Sequence, residues 1–300
     1  MGKKQRLHLV EETGITKTPF KYDKNYEQWL KALNYNQGTL YYDPLMVREF
    51  TDWLKRNNKR PDKETLEAYL DYLQSRDHKM RSSRLKENTI RAHHQALKRY
   101  GKYLKVTGRE SYDVPQLPPQ SKLRPITVLT RQEIEGLYQI TEDDPLGIRD
   151  RAMLSVYYGC GLRRSEGAAL DMEDVQLNKG LLHVRKGKHY KGRHVPVGGR
   201  AKRDLEEYIK HGRPKLLQGE GRKLFIGRTG KAMQGTALAD RFKTLLTRAG
   251  IEKQAGLHTL RHSIATHLLQ SGMTLEQISR FLGHSSLEST QIYTHIAGEE

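Results

Sequence analysis

Four segments in the second half of this chain are dense in side chains that can handle an anionic ester. GCGLRRSEGAAL (159–170) carries adjacent guanidinium groups, and GKHYKGRHVPV (187–197) carries amines on a short turn. LHTLRHSIATHLL (257–269) joins imidazoles to a further guanidinium, and LGHSSLESTQIYTH (282–295) places a tyrosine close to histidines. Guanidinium forks grip phosphoryl oxygens bidentately and stay charged. Imidazole moves protons near neutrality, and a phenol of pKa about 10 becomes a nucleophile when a positive field and a proton acceptor assist it. Taken singly, each segment also has an ordinary reading: surface charge at a helix start, a solvated turn, histidines satisfied in a core. Neither a GxxxxGK[ST] phosphate loop nor a carboxylate cluster suited to two metals accompanies them.

Together and in this order, the segments resemble the tyrosine recombinase family, the phage-integrase-like enzymes that include the Xer recombinases. The resemblance runs from about residue 127 to 295 and rests on GLRxSE, then GKxxKxR-x-VP, then HxLRH, then LGH with a tyrosine nine residues on. It implies that Arg163, Lys188, His258, Arg261 and His284 surround the nucleophile Tyr293. In that reading Arg163 and Arg261 clamp the non-bridging oxygens as charge builds on a pentacoordinate phosphorus. His258 accepts the tyrosine proton, Lys188 protonates the leaving 5′ oxygen, and His284 orients the scissile phosphate. Glu166, one turn after Arg163, is placed to hold the cluster by pairing with a basic neighbour. Attack by Tyr293 leaves a 3′-phosphotyrosine and a free 5′-hydroxyl. The bond energy is kept in that link, so religation needs no ATP, no metal and no other cofactor.

Some neighbours compete for these roles. Lys186 is the alternative to Lys188 as general acid. Arg164 adjoins Arg163, although the motif selects the residue directly after Gly-Leu. Tyr157, Tyr158 and Tyr190 read as packing or DNA-contact tyrosines. His262 and His267 share a helix with His258, but no carboxylate or thiol in the pattern completes a metal set. Cys160 reads as a small buried side chain.

The elements that must position these residues follow from apolar spacing. The expected fold is mainly α with a small β-sheet: a helical N-terminal core-binding domain followed by a mixed α/β catalytic domain. Helices are expected over 43–58, 63–76 and 87–105 from apolar residues three and four apart. Four prolines within 109–126 mark an extended break. Thr130 and Glu133 form a capping box opening a helix through Tyr138, and 147–159 reads as an amphipathic helix ending at glycine. Alternation over 181–185 and 193–197 predicts a hairpin, and KLFI (223–226) a further strand. Helices are expected over 201–211, 236–249, 259–271 and 274–282, with a last one around Tyr293. The divisions are thus 1–38, an extension of unknown role containing Tyr22, Tyr26, Trp29 and Tyr35; 39–112, the helical domain; 113–126, the linker; and 127–300, the catalytic domain.

Charge supports a nucleic-acid partner. Lys and Arg number 53 against 35 Asp and Glu, a net charge of +18 over 300 residues. Residues 79–109 hold ten Lys or Arg against the single acid Glu87. Cations this dense repel one another unless an anion such as a phosphate backbone neutralises them. Arg84, Lys86, Arg91, Lys98 and Arg99 are the candidate DNA contacts; a solvated basic face is the plainer alternative. No apolar run is long enough to span a membrane, and MGKKQRLHLVEETG lacks the apolar core of a secretory signal. The single cysteine excludes an internal disulfide. A cytoplasmic, nucleoid-associated protein is therefore expected.

The resemblance further implies a double-stranded recombination site as partner, two domains closing on DNA as a clamp, and a tetramer on two sites. The seven residues after Tyr293, THIAGEE, are fewer than in many Xer-like members, which leaves docking of the tail on a neighbour open. Residues 267–286 also resemble a helix-turn-helix, but a regulator that only binds DNA has no use for the Arg, Lys, His and Tyr residues in register. A type IB topoisomerase shares the tyrosine chemistry; the LGH motif and compact length favour a recombinase. Phage, transposon or plasmid integration and chromosome-dimer resolution all fit this core equally.

Overall fold

A computed structural model describes residues 20–77, 83–118, 126–185, 192–283 and 290. Lys186, Lys188, Tyr190, His284 and Tyr293 lie outside the described residues. The chain divides into two compact units, Met1–Ser121 and Lys122–Glu300.

The first unit is built from α1 (Asn25–Ala32), α2 (Gln37–Arg56), α3 (Lys63–Ser75) and α4 (Glu87–Val106). α2 begins six residues before the expected Asp43 because the Asn36 carboxamide caps it, accepting from the Thr39 N–H at 2.7 Å. Asp62 caps α3 in the same way. The core is aromatic, with Tyr26, Phe50, Tyr69, Tyr100 and Tyr103 almost wholly enclosed and the Tyr26 and Tyr100 rings edge to face at 4.9 Å. Tyr22, Trp29 and Tyr35 pack against the same cluster. The described part of 1–38 therefore belongs to the helical unit rather than to a separate extension. Its aromatics supply core surface that the short helices otherwise lack. The described part of the expected linker is held as well: the Pro115 and Pro118 carbonyls contact His94 Nε2 and the Arg91 guanidinium of α4, both at 2.7 Å.

In the second unit, α5 (Arg131–Gln139) opens with the Thr130–Glu133 capping box. α6 (Pro145–Leu154) is capped by Asp144 and runs into a five-residue π-helical turn, Ser155–Gly159. Here the expectation of an amphipathic helix is corrected: Gly147 to Asp150 and Ala152 to Leu154 are all buried. The charges that suggested a wet face, Arg149 and Asp150, are paired inside. The Asp150 carboxylate accepts from Arg149 at 2.7 Å on one oxygen and from Arg241 at 2.5 Å on the other. Such a pair is tolerated because every charge has a partner.

α7 (Arg164–Ala169) follows, then an antiparallel sheet β1 (Val175–Gln176), β2 (Leu181–Val184) and β3 (Arg193–Pro196) in the order β1-β2-β3. Val184 pairs with Arg193 at the mouth of the β2–β3 connection. Residues 223–226 do not join this sheet; they make only single bridges, Lys223 to Asp171 and Ile226 to Ala232. The Lys223 ammonium adds an ion pair to the buried Asp171 carboxylate at 2.9 Å, beside that backbone bridge. The unit is completed by α8 (Gly199–Glu207), α9 (Arg213–Leu216), α10 (Gly235–Arg248), α11 (Leu257–Gln270) and α12 (Leu275–Leu282). Its apolar core runs from Leu129 through the π turn and sheet to Leu260. No described helix is long and apolar enough to cross a membrane.

Candidate active site

The site forms where three chain segments meet: the turn after the π-helical residues, the first turns of α11, and the C-terminal end of α12. Gly161 (φ 60°) and Gly283 (φ 67°) both adopt the left-handed conformation there. A Cβ on Gly161 would lie 2.8 Å from Leu282 Cδ2, so the two turns touch at glycine distance.

Arg261, one turn into α11, is 3% exposed and donates to the Gly161 carbonyl at 2.5 Å and the Leu282 carbonyl at 2.9 Å. Arg163 precedes α7 and donates to the Gly283 carbonyl at 3.2 Å. Both guanidiniums thus converge on the end of α12, where helix carbonyls carry partial negative charge and welcome cations. A guanidinium has five donors, so ties to carbonyls orient the fork without cancelling its charge.

Glu166 holds the cluster. One oxygen accepts from the Arg163 backbone N–H at 2.8 Å, and the other from the Arg163 side chain at 2.8 Å. The Arg193 fork reaches the same carboxylate from β3 at 2.8 and 3.0 Å. Burial alone would raise the Glu166 pKa. The hydrogen bonds and charges of Arg193 and Arg163 reverse that and hold it at about 2. Arg193 stands in the GKxxKxR motif, but sequence reasoning gave it no role. The contact that ties it to Glu166 joins residues 27 apart in the chain.

His258 sits on the first turn of α11 with part of its ring in solvent. Crowding on its inner side, then the charges of Arg261, Arg164 and Arg163, push its pKa below the usual 6.5. The imidazole is therefore neutral at pH 7 and able to take a proton. His262 and His267 behave differently. Burial first, then positive neighbours, lowers each to about 4. His267 Nδ1 meets the Tyr158 hydroxyl at 2.8 Å, as a satisfied core histidine does. Among the described residues, no three His, Cys, Asp or Glu side chains converge to hold a metal.

The remaining alternatives separate by place. Arg164 is exposed, and its side chain runs along Gly235 at the start of α10 instead of joining Glu166. Tyr157 is fully buried beneath Gly167 and donates to the Arg164 carbonyl at 3.1 Å. Cys160 is enclosed, and burial pushes its thiol up to about 12, well above the reactive range. In the first unit Arg84, Lys86 and Lys98 are exposed. Arg91 is tied to Glu87 and to the Pro118 carbonyl. Arg99 neutralises the buried Asp43 carboxylate with contacts of 2.5 and 2.9 Å, so its charge serves the fold.

Residues 127–300 match the model of the phage integrase family. The chain belongs to this family. As a tyrosine recombinase, it is an enzyme that cleaves and rejoins DNA in site-specific recombination. It is similar to tyrosine recombinase XerD of Pseudomonas putida, 37% identical over 275 residues that cover 90% of each chain. It is also similar to tyrosine recombinase XerC 2 of Ralstonia nicotianae, 33% identical over 282 residues, 90% of this chain and 80% of that one. Among solved structures, the XerH recombinase in its post-cleavage complex aligns with a TM-score of 0.68 over 90% of this chain and 79% of that one. At 22% identity, that likeness shows a shared fold.

For this recombinase, Glu166→Gln is expected to lower stability by about 3 kcal/mol, or about 10 °C in Tm, because two guanidiniums lose their shared anion. The same carboxyl gives a pH signature. Its folded pKa of about 2 lies below the ordinary 4.5. Its contribution is therefore complete above pH 4.5 and is lost as pH falls toward 2, a total of roughly 3 kcal/mol. Denaturant midpoints across that window should fall more steeply for the natural chain than for the Gln variant.

Proposed function

We propose that this recombinase cuts one strand of duplex DNA by attack of Tyr293 Oη on the scissile phosphorus, with Arg163 and Arg261 clamping the non-bridging oxygens. The observation that carries this reading is the convergence of those two arginines on the end of α12, directly before His284, with the neutral His258 beside them. As the P–O5′ bond breaks, the tyrosine proton passes to His258 and Lys188 supplies a proton to the departing 5′ oxygen. His284 orients the phosphate, and Glu166 keeps Arg163 aimed. The product is a 3′-phosphotyrosine, which a 5′-hydroxyl reverses with no metal or nucleotide.

The first unit supplies phosphate contacts from Arg84, Lys86 and Lys98, which are exposed within the basic run 79–109. The partner is double-stranded DNA in the cytoplasm, and strand exchange takes place in a homotetramer on two sites. That the XerH neighbour is described as bound to its difH substrate, and that both curated relatives are named recombinases, supports this assignment.

The direct test offers the full chain a pool of nicked duplexes of random sequence in EDTA and recovers protein joined to DNA. Covalent adducts should form, share a common core sequence, and map by mass spectrometry to the peptide holding Tyr293. Recovery only with added divalent metal, or a linkage on another residue, would overturn the mechanism.

A further inference from the structure

Arg193 is the first residue of β3, and its backbone pairs with Val184 to close the mouth of the β2–β3 connection, residues 185–192. Lys188 lies on that connection, five residues before Arg193. From this pivot the Arg193 side chain leaves the sheet and lays both terminal nitrogens on Glu166 of α7. Its stem packs on the end of α12 so closely that a Cβ on Gly283 would come within 2.7 Å of Arg193 Cδ and Nε. Its Nε–H is buried and finds no acceptor among the described residues.

We infer that Arg193 is a positioning residue that locks the arm bearing Lys188 to the Arg163–Glu166 unit and to the end of α12. The geometry has three parts. Backbone pairing fixes where the connection leaves the sheet, the bidentate contact with Glu166 fixes the sheet against α7, and Gly283 gives the stem room to pass. Planarity matters, because a guanidinium fork sets both distance and angle to a carboxylate, whereas an ammonium sets distance only. Arg163 keeps its own contacts with Glu166 and Gly283, so losing Arg193 acts first on the hairpin and only secondarily on the phosphate clamp.

The inference rests on the assignment of Lys188 as general acid, and the test separates the two. The full chain and its Arg193→Ala, Arg193→Lys and Lys188→Ala variants are assayed on the captured duplex. The scissile 5′ oxygen is natural in one substrate and replaced by sulfur in the other. When the P–S bond breaks, the thiolate leaves without needing a proton. On the oxygen substrate, Arg193→Ala should cleave on the order of 10²-fold more slowly with DNA affinity unchanged, as expected for loss of general-acid help. On the sulfur substrate the rate should return to near that of the natural chain. Arg193→Lys should show the same pattern with a smaller loss, and it carries the test alone if Arg193→Ala does not fold. Lys188→Ala should be restored by sulfur as well. If sulfur restores Lys188→Ala but neither Arg193 variant, or if Arg193 variants cleave the oxygen substrate normally, Arg193 does not position the acid. If sulfur fails to restore Lys188→Ala, the general-acid reading falls and this inference falls with it.

Discussion

Tyr293→Phe is expected to bind the captured duplex with the affinity of the natural chain and to leave no covalent adduct, a loss on the order of 10⁴-fold or more. Phenylalanine keeps the ring, so only the hydroxyl proposed to attack is removed. No described tyrosine of the second unit can replace it. Tyr138, Tyr157 and Tyr208 are buried, with hydroxyls engaged by Ser155, the Arg164 carbonyl and the Leu224 carbonyl. Tyr158 is bonded to His267. Burial raises the pKa of all four, the opposite of what a nucleophile needs. Gel-resolved adduct on the nicked duplex, alongside binding by fluorescence anisotropy, checks the result. Adduct that persists in the Phe variant would remove Tyr293 as nucleophile.

Arg261→Ala should fail in two measurable ways. Its guanidinium bridges the Gly161 and Leu282 carbonyls in a buried place, so truncation leaves both acceptors unpaired and separates the two glycine turns. A cost of about 3–5 kcal/mol is expected, read as a lower denaturant midpoint. Separately, in the proposed mechanism one of two cations clamping the phosphoryl oxygens is lost, which should slow cleavage by on the order of 10²- to 10³-fold even at temperatures where the variant is folded. Arg261→Lys distinguishes the effects. A point charge restores some phosphate attraction but cannot reach two carbonyls in different directions. Its cleavage rate should lie between the other two chains while its stability stays near that of Arg261→Ala. Normal cleavage by a folded Arg261→Ala chain would show that Arg261 serves the fold alone.

Much of the architecture was legible in residue order, because local chemistry dictates it. Thr130 and Glu133 satisfy each other's backbone donors whatever surrounds them, so their helix start was readable. Alternation placed β2 and β3 to within a residue. Helices α10, α11 and α12 lie within about two residues of their apolar patterns. What misled was charge. Arg149 and Asp150 imitate a solvated face, yet both are inside, since a long-range partner such as Arg241 cannot be seen in the local pattern. The aromatics of 20–38 carried no motif because they only complete a core contributed by α2, α3 and α4.

The same division runs through the site. The sequence by itself determined which groups are present and in what order: GLRRSE, the Lys-rich hairpin, HTLRH, LGH and Tyr293, a set that states its chemistry through residue type. The motif had already singled out Arg163 over Arg164; only the tertiary structure showed where the two side chains go, one to the end of α12 and the other out beside α10. It alone showed that Glu166 answers to Arg193 as well as Arg163. The reason is physical. Residue type and spacing encode what a side chain can do within a helix turn or a strand pair. Which distant carboxylate or carbonyl receives a guanidinium depends on where packing brings separate elements together.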